Sequence, residues 1–447
     1  MSAMYTTPWG TTEVPFEVMM WRDSVTSAST VAIGPVSEVE KINLVFDAKA
    51  PGVCSFTAPL NAQNAPLLDT RGGMLITVSP TGTDPTEDMR WEGVIVSAVA
   101  RSGDSPEHAI VEVHAAGLAS SAQDCTIFGQ RELDPEKNTK MDGGYGIGFA
   151  GERPSDTVRI IAPRAMNRYG IPVYAGYGHM INFGDTSTEG WWIYSGDDAW
   201  DTMERLTAAG GFWLDWYATL PGETPWKYRV TGAYTDEGLP ISSQRLNGLF
   251  VPTGWGATPR ITWSVDAGDI TEWSVEEHAP RAYRHHTFGV KRPQEGAETW
   301  TWGFSTSKAD VHRWRRKGVA KVFDITDKTD AEWYRMRDGW RRAEAPAEYG
   351  PTMATKVVLR PGSRWKPGRE LTHDRFWLGQ MVELKFPHLD PIQRCVSSIT
   401  VDWAHGSGVT ITPELIEPNT VSTRYRDLYT GHHSLTRRVN RIENRNR

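Results

Sequence analysis

The sequence is short of the residues from which specialised scaffolds and active sites are built. Its 447 residues hold three cysteines, Cys54, Cys125 and Cys395, too few and too scattered for a disulfide framework or a Cys-type zinc site. Synthesis in a reducing compartment is the simplest reading. No apolar run approaches the roughly 18 residues of a membrane-spanning helix, so no membrane insertion is expected. The opening residues, MSAMYTTPWGTTEVP, have neither a basic flank nor an apolar centre, and a secretory signal is not expected. A formal net charge of -7 gives no global pull toward nucleic acid or anionic membrane. Catalytic constellations are missing too: there is no HExxH, no GxSxG and no Asp-x-Asp-x-Asp-Gly loop. The histidine pairs His285-His286 and His432-His433 are adjacent residues whose side chains diverge, which does not suit a metal. No catalytic residue, cofactor or metal is therefore assigned, and no enzyme is expected.

Glycine and proline, at 42 and 28 residues, are plentiful. So much backbone punctuation excludes a helical bundle and favours many short strands joined by turns. With 39% apolar residues and 20 tryptophans, the chain can fill sizeable cores, which argues against disorder. The length predicts two to four domains. The expected class is a β-rich α+β protein, with two small β-barrel or sandwich-like domains at the chain ends and a helix-containing middle.

Residues 1–125 read as the first β domain. Phe16, Val18 and Met20 alternate, as do Ile42, Leu44 and Phe46, then Met74, Ile76 and Val78. Turn-rich stretches such as Ala50-Pro51-Gly52 and Pro80-Thr81-Gly82 separate them. Residues 126–190 read as a loop-rich insertion, with one possible strand at Val158, Ile160 and Ile161. Within it, Gly146-Ile147-Gly148-Phe149-Ala150-Gly151 matches the dinucleotide fingerprint by letters. It lacks the preceding buried strand and the following helix, and is read as a flexible loop.

Residues 191–350 read as a mixed α+β middle domain. Ser195 with Asp198 forms a capping box before a helix carrying Ala199 or Trp200, Met203 and Leu206 on one face, stopped at Gly210-Gly211. Ser307 with Asp310, and Thr329 with Glu332, open two more predicted helices, the second striped by Trp333, Met336 and Trp340. Trp226, Tyr228 and Val230 share one face of a predicted strand, so these tryptophans read as core rather than as sugar platforms. Residues 351–418 return to strand chemistry as a second β domain, and 419–447 read as an extended basic arm that orders only on a partner.

The two ends share a phrase. Gly72 to Pro80 reads GGMLITVSP and Gly379 to Pro387 reads GQMVELKFP, with Gly, Met and Pro at the same spacing. Each is followed by two further strands, around Val94–Val96 then AIVEV, or Val396–Val401 then GVTIT. A duplicated three-strand meander is the expected origin. The residues singled out as partner contacts are Trp191 and Trp192, beside the Tyr169, Tyr174 and Tyr177 loop, and Arg437, Arg438, Arg441, Arg445 and Arg447 in the arm.

Several of these phrases resemble the hub or minor tail proteins of long-tailed phages, especially those infecting actinobacteria. The resemblance lies in Lys41 to Asp47 running through Pro51-Gly52 to Pro59, then Leu67-Leu68 with Gly73 to Ile76, and Trp91 to Ile95. Further on it lies in Asp197 to Leu206 followed by Gly210 to Trp216, and in Leu378 to Val382, Cys395 to Val401 and Val409 to Pro413. It implies a structural protein of the virion, placed at the tail tip and made in the host cytoplasm. There a homotrimer would supply two β domains per chain to a six-membered collar matching the tail tube. The implied partners are the distal tail or tube protein, the tape-measure protein, tip fibres or spikes, and phage DNA in transit during genome ejection. The rival from another class is a β-sandwich that binds or hydrolyses host cell-wall glycan, which would explain the tryptophans but lacks an acid/nucleophile context.

Overall fold

The computed structural model describes residues 4–23, 30–47, 50–69, 74–83, 89–102, 108–123, 125–127, 140–141, 144–149, 157–158, 161, 165, 173–174, 191–194, 197–210, 215–218, 228–231, 261–278, 284–291, 299–303, 318–326, 329–330, 333–334, 337, 352–368 and 374–416. Thirteen strands among them form one sheet. The first seven are β1 (Phe16–Asp23), β2 (Thr30–Pro35), β3 (Lys41–Asp47), β4 (Val53–Pro59), β5 (Met74–Pro80), β6 (Trp91–Ser102) and β7 (Ala109–Gly117). The other six are β8 (Ile261–Ser264), β9 (Ile270–His278), β10 (Thr352–Leu359), β11 (Met381–Lys385), β12 (Ile392–Ala404) and β13 (Thr410–Ile416). They are strands because apolar residues recur every second position: Ile42, Leu44 and Phe46 are buried while their neighbours are not.

The path across the sheet is β9-β10-β13-β12-β3-β4-β7-β6-β5-β1-β2, with β11 also on β12 and β8 on β11. Two sets of strands share one order within it. The C-terminal set runs β8-β11-β12-β13-β10-β9, and the N-terminal set runs β2-β1-β5-β6-β7-β4-β3. Chain order maps one set onto the other: β2 to β8, β3 to β9, β4 to β10, and β5, β6 and β7 to β11, β12 and β13. The N-terminal set differs by one strand, β1, inserted between β2 and β5. Because β1 is antiparallel to both, β2 keeps the direction of β5, as β8 is parallel to β11. The C-terminal set takes in β8 and β9, which lie inside the stretch 191–350.

The duplication extends to single residues. In the first meander Val94 pairs with Leu75 and with Ala116, and β6 carries an extra residue between Ile95 and Ser97. In the second, Cys395 pairs with Met381 and with Ile416, and β12 carries an extra residue between Val396 and Ser398. Both β-bulges fall two residues past the first of these pairs. The register corrects the letter match: Leu75, not Met74, is the counterpart of Met381, so the shared methionines are one residue out of step. Burial agrees, since Ile76 and Val382, and Val78 and Leu384, are all fully buried.

Among the described residues no ladder closes either set on itself, and the sheet forms no closed barrel. Of the expected barrel or sandwich-like end domains, the barrel form is corrected to this extent. One apolar core runs under both sets, from Phe16, Val18 and Trp91 to Trp263, Trp377 and Trp403. Phe46 meets Trp377 edge-on across the seam, with ring centroids 4.9 Å apart.

Elsewhere the described elements are small. Helix α1 (Ala199–Gly210) buries Ala199, Met203 and Leu206 as expected. Its cap is Asp198, whose carboxylate accepts the Asp201 backbone N–H at 2.9 Å; the box drawn from Ser195 is thus moved by three residues. At the predicted helix after Thr329 the described residues Asp330, Trp333, Tyr334 and Arg337 are helical, the Trp333 N–H donates to the Thr329 carbonyl, and Trp333 is buried against Phe323. Met336, Trp340, Trp226 and the predicted helix after Ser307 lie outside the described residues.

Two readings of the 126–190 stretch are corrected. Thr157, Val158, Ile161 and Ala165 are helical and buried, because their spacing follows a helix period rather than the alternation of a strand. The glycine-rich segment forms a strand, Gly144–Phe149, paired with Lys140–Met141 and with Trp191–Tyr194.

Candidate assembly interface

Among the described residues, no group of three or more His, Cys, Asp or Glu side chains is placed to hold a metal ion, and no helix is long and apolar enough to cross a membrane. The three cysteines are free and buried, and burial pushes the Cys54 thiol well above its ordinary range, so it is a packing residue. The tryptophans that the structure describes mostly serve as core: Trp91, Trp263, Trp365, Trp377 and Trp403 are all buried.

The feature that organises the molecule is instead a joint between the two strand sets. Strand β12 is longer than its partner β11. Its first residues, Ile392 to Cys395, pair with β11. At the bulge it bends away, as an extra residue locally increases twist, and its second half is free to take another neighbour on the same edge. That neighbour is β3. Seven pairs run from Asp47 opposite Ser398 to Lys41 opposite Ala404.

The inner face of this joint sets Ile42, Leu44 and Phe46 against Trp403, Val401 and Ile399, all six buried. Each such side chain contributes about 1.5–3 kcal/mol on burial. On the outer face the Asn43 amide donates to the Asp402 carboxylate at 2.6 Å. The His405 N–H donates to the Glu40 carbonyl at 2.7 Å and extends the joint by one more bond. The N-terminal hairpin, Tyr5–Thr7 with Gly10–Thr12, closes over it. The Tyr5 hydroxyl accepts the Gly406 N–H at 2.8 Å, and its ring meets Trp403 edge-on.

Among the described residues β2 and β8, at the ends of the two strand sets, each pair on one side only, and two further edges of the sheet take no partner. One is the outer edge of β9, which pairs only with β10 and leaves Trp273 40% exposed although its ring stacks on Phe386. The other is the second half of β6. Beyond Val94 it has no neighbour on the β5 side, and Val96 and Val99 are 66% and 51% exposed. Sequence reasoning missed both edges. The available signals were the break in alternation at Val96 and the charged run Glu276-Glu277 at the end of a strand.

Trp191 and Trp192 lie in the ladder opposite Phe149 and Gly148. Arg437, Arg438, Arg441, Arg445 and Arg447 lie outside the described residues, as do Tyr169 and Tyr177.

Comparison with known proteins places this architecture. No protein-family model matches the chain, and no curated protein does. Among solved structures, the fold is similar to that of the 43 kDa tail protein of prophage MuSo2 from Shewanella oneidensis. That match has 13% identity and a TM-score of 0.50, over 91% of this chain and 99% of that one. A tail protein from Neisseria meningitidis MC58 aligns at 12% identity and a TM-score of 0.49, over 92% and 99% of the two chains. A prophage tail protein from Listeria monocytogenes EGD-e aligns at 8% and 0.39, over 93% and 98%. The chain thus has a fold found in a prophage tail protein.

Proposed function

We propose that this chain is a structural subunit of a phage tail, acting as a trimeric hub at the tail tip. The observation that carries the reading is the register-matched duplication of a six-strand set in one chain, with the two copies joined side by side by β3 and β12. A subunit that presents two like edges lets three chains match a six-fold tube. In this reading the two β regions, 1–125 and 351–418 together with β8 and β9, form the collar around a DNA exit channel. The remaining residues of 191–350 brace the collar from outside, and the 126–190 stretch contacts a neighbouring tail protein. The tube protein and the tape-measure protein meet one face of the ring, fibre or spike proteins the other. The chain performs no chemistry and needs no cofactor.

Counting copies of the chain in purified tails, by quantitative mass spectrometry against the tube protein, tests this. Three copies per tail are expected. Six copies, or a chain absent from tails, would overturn it.

A further inference from the structure

The joint inside the chain has an unfilled counterpart on each side. Within the chain, β3 of the first set pairs with the post-bulge half of β12 in the second. The counterpart of β3 in the second set is β9, whose outer edge takes no partner among the described residues; the counterpart of that half of β12 in the first set is the stretch of β6 after Val96, which likewise takes none among them. We propose that β9 of one copy pairs antiparallel with the post-bulge half of β6 in the next copy, repeating between chains the joint that β3 and β12 make within one. This deepens the ring reading and rests on it for the number of copies.

The register follows from the pairings already described. Since Asn43 and Ser274 lie opposite equivalent residues of β4 and β10, and Thr400 is the counterpart of Val99, the pair Val45–Thr400 becomes Glu276 opposite Val99. The pair Asn43–Asp402 becomes Ser274 opposite Arg101, and Ile42–Trp403 becomes Trp273 opposite Ser102. Three features fit a second copy at this edge. The inward positions that are fully buried in the inner joint are open here: Trp273, Ala100 and Ser102 are exposed. The small residues Ala98, Ala100 and Ser102 face the bulkier Trp273, Val275 and Glu277 and leave room for them. Glu272 and Glu276 flank Arg101 on the outer face, at the diagonal distance of about 7–8 Å that long side chains span, whereas within its own chain Arg101 pairs with Glu112. The contact is head-to-tail, and a head-to-tail contact that closes into a ring leaves neither of these edges exposed.

Paired cysteines test the register. Val99→Cys and Glu276→Cys in one chain should form chain-to-chain disulfides on mild oxidation, read as a ladder on a denaturing gel, in the purified chain or in tails. Neither single substitution should do so, because the native cysteines are buried. Val99→Cys with Glu272→Cys, four residues out of register, should stay uncrosslinked. Val45→Cys with Thr400→Cys should close within one chain, confirming that the geometry supports the bond. Oligomers of ring size without the Val99–Glu276 crosslink would overturn this contact and leave the ring reading standing. A chain that neither associates nor crosslinks, free or in tails, would overturn both.

Discussion

At the scale of single residues, the two strand sets make a controlled comparison inside one chain. Val78 and Leu384 are counterparts, each fully buried and each at the fourth paired position of its meander. A carboxylate placed at either would lose its hydration without gaining a partner, at a cost of several kcal/mol, on the order of 3–5. Val78→Asp and Leu384→Asp are expected to lower the denaturant midpoint severely or to abolish soluble yield, and by similar amounts. Because one core runs beneath both sets, each substitution should unfold the β structure as a whole. A variant that lost one set while the other kept a native transition would contradict the shared core. Val96→Asp, on an exposed position, should leave the midpoint nearly unchanged.

Elements add constraints that no single residue carries. The bulge in β12 keeps Ile399, Val401 and Trp403 facing the core after the strand leaves β11. Deleting Ser397 would shift the following residues by one and turn those three side chains to the opposite face. Loss of soluble protein is expected for the deletion, whereas Ser397→Ala should fold. Helix α1 offers a milder test: Asp198→Ala removes the acceptor for the Asp201 N–H and should cost about 1 kcal/mol in thermal or chemical denaturation.

The contrast between these elements also shows what could be read before folding. Strict alternation made Phe16–Met20, Ile42–Phe46 and Met74–Val78 visible as strands, and the Met203 and Leu206 spacing made α1 visible. The repeated meander was visible too, though its letters pointed to a register one residue off, because Met74 and Met381 sit at different ladder positions. What stayed hidden was long-range: that β8 and β9 join strands about a hundred residues further along, and that β3 crosses over to β12. Short apolar segments announce that they pair without announcing with whom. The cap of α1 was displaced because Ser195 and Asp198 are both good capping residues and only the backbone path selects between them. The glycine-rich strand at Gly144–Phe149 was missed because glycine is a poor strand former and is held there by pairing on both sides.

For the whole molecule, the proposed hub makes the chain a unit of assembly whose two like halves stand in a ring. The basic arm belongs to this scale. Residues 419–447 carry Arg437, Arg438, Arg441, Arg445 and Arg447 in a polar setting that has little to bury. Truncation after Pro418 should leave the subunit folded with an unchanged melting transition and reduce its incorporation into tails; normal incorporation would show that the arm holds no partner. The most direct measurement of the central claim is an electron-microscopic reconstruction of the tail tip with this chain traced in it. Three copies are expected, with the two strand sets of each at the same radius and alternating around six positions. Six copies, or sets lying at different radii, would contradict it.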